Sequence, residues 1–178
     1  MQWKLLIVAP ALVAGLLFAG NWTVDSANAK ISFGIHGPFG TVHGDFSGLK
    51  ADIQFDEKNP GAGSVTASID AATVSTGIGL RNKHLRSEEQ FFNTDKYPQI
   101  SFRSKKIEKT ADGYKATGDL VMKGVTKPIE IPFTFTSNRG SGTFKGHFTI
   151  KRLDFNIGKP GGSIGDDVTV DLEIPVKK

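Results

Sequence analysis

The 178-residue chain contains no cysteine, which excludes disulfides, cysteine-ligated zinc, a thiol nucleophile and the lipidated cysteine of a bacterial lipoprotein, while leaving the compartment open. Tyrosine and tryptophan are scarce, two of each against 13 phenylalanines. The interior is therefore expected to be aromatic yet short of phenolic and indole hydrogen-bonding groups. No run of like charge occurs. The net charge of +4 is spread along the sequence, which argues against a nucleic-acid partner and leaves a mild attraction for anionic groups. Neither a GxSxG nucleophile motif nor a P-loop is present, and the glycine-rich GTVHGDFSG and KPGGSIGD lack the spacing and strand-to-helix context of phosphate binding, so both read as turns. The apolar run Leu5–Ala19 has 15 residues and includes Pro10, whereas a membrane-spanning helix needs about 20.

That run, preceded by Lys4, reads as a secretory leader over residues 1–20. Ala19 and Gly20 offer a cleavage point, but Leu17 or Phe18 then falls where a peptidase wants a small residue, so an uncleaved anchor stays open as the alternative. Both readings place the body of the protein in the periplasm or outside the cell. The remaining 21–178 suit one domain with one core.

Period-two alternation dominates from Trp22 onward and places every second side chain on one face of a strand. Eight antiparallel strands are expected, around Ile31–Ile35, Ala51–Phe55, Val65–Ile69, Ile100–Phe102, Tyr114–Met122, Ile129–Phe135, Phe144–Ile150 and Val168–Val176. Their second faces carry Lys, Asp, Thr and Glu, so one face is wet throughout. A sheet of that kind must bury its other face by closing into a barrel or folding into a sandwich, and eight strands enclose either filler side chains or one ligand.

Alternation stops within Arg81–Gln99, where Leu80, His84 and Phe91, and likewise Leu85, Glu89 and Phe92, recur at helical intervals. Ser87 with Gln90 fits a capping box, which predicts two short helical pieces, the second starting near Ser87 and ending before Tyr97-Pro98. His84 and Glu88 at i and i+4 share a helix face and fit an acid–base pair or two metal ligands. With no third ligand near them, no metal is assigned. The competing reading makes Arg81, His84 and Arg86 a cap that bonds loop carbonyls.

KHLRS followed by FFNTDKYP, then GDLVMKGVTKPI and LDFNIG, preceded by FGIHG and FDEKNP, resemble in order and spacing the YceI-like family of exported lipid-binding proteins, from Trp22 to the C-terminus. The resemblance implies an all-β, lipocalin-like antiparallel barrel with one short helical segment, an interior that takes a long isoprenoid or other lipid, and no catalysis or cofactor beyond that ligand. Parity alone favours core over ligand wall for the inward phenylalanines; the resemblance reverses that. The expected lining is Phe33, Ile35, Ile69, Phe102, Leu120, Met122, Ile131, Phe133, Phe135, Phe144 and Phe148, with Arg81, His84 and Arg86 as head-group contacts or structural cap. The alternative is an isomerase or hydrolase acting on such a lipid through His84 and Glu88. A transient contact with a membrane surface is compatible with either. One departure is the short, glycine-rich HGPFGTVHGDF, read as a loop that alters the mouth.

Overall fold

The structure is a computed structural model that describes residues 20–178; the leader read over residues 1–20 lies, except for Gly20, outside them. Ten strands follow in chain order: β1 (Asn21–Val24), β2 (Lys30–Gly37), β3 (Gly40–Phe46), β4 (Lys50–Gln54), β5 (Ser64–Asp70), β6 (Gln99–Thr110), β7 (Gly113–Met122), β8 (Val125–Asn138), β9 (Ser141–Lys151) and β10 (Asp167–Lys177). Among the described residues one α-helix, α1 (Gly79–Ser87), interrupts them.

Eight of the strands close a ring. The order β1-β4-β5-β6-β7-β8-β9-β10 returns to β1 through Thr23↔Lys177 and Val24↔Val176, every pairing antiparallel. The β2–β3 hairpin branches from the other half of β10, where Val168 faces Ile35 and Glu173 faces Lys30. Its outer strand is tied back by a single bridge, Asp45↔Ser75. The barrel is thus tight at the β1 end and wider at the hairpin end, as expected when strands are added to a ring. Gly44 permits that bridge: a Cβ there would lie 2.6 Å from the Ser75 carbonyl oxygen and inside the Phe33 ring.

The expected barrel is observed, but its closed ring is not made of the same eight strands. Sequence pattern omits β1, which has only four residues, and β3, where HGPFGTVHGDF forms a strand rather than a loop or turn. The β3 register carries only Val42 and Phe46 as large apolar residues, with glycine between them, too thin a signal for period two. The predicted second helical piece is also absent. Ser87 donates to the Lys83 carbonyl (2.9 Å) instead of capping a new helix, Glu88 is extended, and residues 88–97 form turns whose Phe92 and Thr94 amides bond the Leu85 and Arg86 carbonyls. Those turns satisfy carbonyl groups that α1 would otherwise leave unpaired.

The tight end is packed solid. Phe55, 2% exposed, sits among Tyr114, Phe133, Phe135 and Phe144 at centroid distances of 4.9–5.6 Å, all four edge to face. Trp22 closes the cluster against Phe135 and donates its indole N–H to the Phe55 carbonyl (3.0 Å). Burial first, and secondarily the Glu57 carboxylate, push the Tyr114 phenol above its ordinary range.

Candidate functional site: an apolar cavity

Above this aromatic floor the interior is open, forming a cavity of about 1290 Å³ that reaches the surface at the hairpin end. That exceeds the few hundred to about 1,000 Å³ usual for small-molecule pockets and suits a long ligand. Inward parity puts Phe33 and Ile35 of β2, Ile69 of β5, Phe102 of β6, and Leu120 and Met122 of β7 on its wall. Ile131 and Phe133 of β8 and Phe144 and Phe148 of β9 join them. Phe135 does not. It lies one inward step beyond Phe133 towards the tight end, below the floor, with its ring 4.3 Å from Phe144. Parity reports the face of a strand and not the depth along the barrel, which is why Phe135 looked equivalent to Phe133.

Several wall residues, including Phe33, Ile131, Phe133 and Phe148, are only partly buried although they point inward. Each leaves part of its surface to the open space, although Phe33 also packs on Phe46 and Phe133 on Phe55 and Tyr114. Val168, Val170 and Leu172 of β10 complete the wall opposite and were legible as inward strand residues.

Helix α1 lies across the mouth with Arg81 and Leu85, one turn apart, facing the cavity. The stripe Leu80–His84–Glu88 faces outward instead, since Leu80 and His84 are exposed. His84 Nδ1 stands 3.7 Å from Glu88 Oε1, and neither residue lines the cavity. The geometry therefore gives this pair no access to a ligand held inside. His84 also bonds no loop carbonyl through its side chain, so it is not the expected cap. Arg86 is one: half-buried under the helix, it donates Nη2 to the Val74 carbonyl (3.1 Å), while its buried Nε finds no acceptor among the described residues.

The strongest cap was missed. Arg152 is buried and spends its guanidinium on four carbonyls, those of Gly165 (2.7 Å), Ile157 (2.8 Å), Ile164 (3.1 Å) and Lys159 (3.3 Å), pinning the loop before β10 beside the mouth. It occupies the inward parity of β9 after Phe148 and Ile150, and a cation in that register was the available signal. The rim is further knit by the Gly158 amide to Gln90, the Gly165 amide to His36, and Lys123 Nζ to Asn156. Burial lowers the Lys123 pKa, and Glu89 offsets this in part.

The ionisable residues of the lining are Arg81, Arg152, Lys159, His36 and His43, all at the open half; no aspartate or glutamate is among them. Among the described residues no three His, Asp or Glu side chains converge as a metal site.

An antiparallel barrel closed at one end, with a long apolar interior and basic residues at its mouth, defines a lipocalin-like class of binding fold. Residues 22–176 match the YceI-like domain model, and the chain belongs to that family. It is 35% identical to a UPF0312 protein of Yersinia enterocolitica over 179 residues, covering 96% of this chain and 93% of that one. The crystal structure of Burkholderia cenocepacia BcnA superposes with a TM-score of 0.80 at 29% identity, over 86% of this chain and 99% of BcnA. A polyisoprenoid binding domain from Saccharophagus degradans shares the fold, with a TM-score of 0.66 at 17% identity over 89% and 98% of the two chains.

Proposed function

We propose that the protein is a non-catalytic carrier, exported to the periplasm or beyond, for one long-chain apolar ligand such as a polyisoprenoid, a quinone or another lipid. The cavity carries the reading: an apolar space of about 1290 Å³ whose wall residues stay partly uncovered, ending at a rim where every ionisable lining residue is basic. Each buried CH₂ contributes about 0.8 kcal/mol, so a twenty-carbon chain gains roughly 16 kcal/mol gross, against an association cost of roughly 4–15 kcal/mol. Affinity then needs no specific polar contact within the wall. The head group rests at the rim beside Arg81 and Lys159. The structural neighbour described as a polyisoprenoid binding domain supports an isoprenoid as the first ligand to try. Lys4 ahead of the apolar run Leu5–Ala19 supports export.

Native mass spectrometry of protein purified from its own host tests the reading. A carrier retains one lipid per chain at near-full occupancy. Protein that is lipid-free under gentle desolvation would instead favour a scaffold or an enzyme that releases its product.

A further inference from the structure

We infer that the open end docks, rim first, on an anionic lipid surface. The inference rests on the carrier reading for its purpose, although its evidence is separate. Among the described residues the exposed large apolar side chains are Phe39, Ile78, Leu80 and Ile164, at 102%, 49%, 67% and 47%. All four lie at the hairpin end of the barrel. Phe39 is in the two-residue turn between β2 and β3, Ile78 and Leu80 start α1, and Ile164 lies in the loop held by Arg152. None is at the tight end.

A tight hairpin turn and a helix start ordinarily carry Gly, Asn, Asp or Ser, which are stable in water. Here three separate segments each raise a large apolar residue around one opening, and Phe39 and Ile164 also line the cavity. Apolar groups clustered on one surface mark a docking site. Basic side chains stand beside them: Arg81 and Lys83 flank Leu80, and Lys159 shares the Ile164 loop. None of the three forms an ion pair among the described residues. Three neighbouring carboxylates are already engaged, Glu88 with Gln90 and His84, Asp166 with Lys151 and the Leu153 amide, and Asp167 with Lys151, and Glu89 acts on Lys123. Apolar tips with unpaired cations suit insertion at the boundary between acyl chains and anionic head groups. Docked this way, the cavity opens into the bilayer, and an insoluble chain passes between them without crossing water.

The exported protein is tested with a Phe39→Trp reporter, the wild type supplying the background from its native tryptophans, Trp22 among them. Vesicles of phosphatidylethanolamine and phosphatidylglycerol, part of them brominated, are added. The expected result is a blue shift and bromine quenching of the residue 39 signal, weakened in 0.5 M salt. In a Phe39→Asp, Leu80→Asp variant, whose exposed substitutions leave the melting temperature unchanged, partitioning should fall at least about tenfold. Absence of a vesicle-dependent shift, or equal partitioning of variant and wild type, overturns the inference. So does a shift produced by raising protein concentration without lipid, which makes the rim a contact between two copies. Bound lipid is measured in parallel: protein that carries a chain but ignores vesicles defeats docking alone, and protein that docks but is empty defeats the carrier reading alone.

Discussion

The tight end and the open half of this barrel share most of their strands, β1 serving only the first and the β2–β3 hairpin only the second, with the same inward alternation of large apolar residues, yet they solve different problems. At the tight end Tyr114, Phe135 and Phe144 meet Phe55 edge to face, Trp22 meets Phe135 in the same way, and the rings close the floor of the interior. In the open half Phe33, Ile131 and Phe148 point just as squarely inward and remain partly uncovered, because the β2–β3 hairpin widens the circumference there. Residue type does not distinguish core from wall; position along the barrel axis does. The tight end anchors the fold, and the open half keeps apolar surface available.

The sharpest test of that division is a pair of truncations in lipid-free protein. Phe55→Ala removes the ring at the centre of the cluster and should cost about 3–5 kcal/mol in denaturant unfolding. Phe148→Ala, on the wall, should cost about 1 kcal/mol, since no packed neighbours collapse around it. Equal losses would mean that the open half is packed as tightly as the floor.

Next in size is the loop at the mouth. Arg152→Met keeps the stem and deletes all four bonds to the carbonyls of residues 157–165, so about 2–4 kcal/mol should be lost and amide exchange should rise in that loop first. Uniform loss of protection around the barrel would instead make Arg152 part of the global core.

The boundary between the two regions falls between Phe133 and Phe135. Phe135→Trp overpacks the cluster and should cost about 1–3 kcal/mol. Phe133→Trp extends into the cavity floor, should cost less than about 1 kcal/mol, and should shorten the longest prenol retained. Melting temperature and the bound-lipid mass distribution, read on both variants, check this.

The smallest effect is alkaline. Because the Tyr114 phenol is held above its ordinary value by burial, the folded protein keeps that proton to higher pH than the unfolded chain does. Its share of stability is complete below about pH 10 and is lost as pH rises through the folded value. Tyr114→Phe should flatten the alkaline limb of a stability–pH curve and leave the neutral region in place.

Much of this was legible in the sequence, for reasons that differ by residue. Strict alternation from Ile129 to Phe135 and from Val168 to Val176 fixed the inward faces, and the wet outer faces required closure. Three features escaped because their signals are short or contextual. Four residues of β1 and the glycine-interrupted β3 carry too few apolar positions to register, and Phe135 was misplaced because parity has no axial coordinate. Around α1, helical spacing alone fits several faces; Arg81 and Leu85 turned inward because Leu80 and His84 were left to solvent, a choice made by the mouth rather than by the helix. Arg152 stood in plain register with Phe148 and Ile150, and its inward charge needed the loop carbonyls of residues 157–165 to make sense.

The central claim is that the open half is a ligand wall and not an imperfect core. A crystal structure of the protein as purified from its host reads this directly. Continuous electron density for an extended apolar chain, running from the Phe133 and Phe144 floor to the mouth at Arg81, is the predicted result. Density showing Phe33, Ile131 and Phe148 swung together across a filled interior would contradict it.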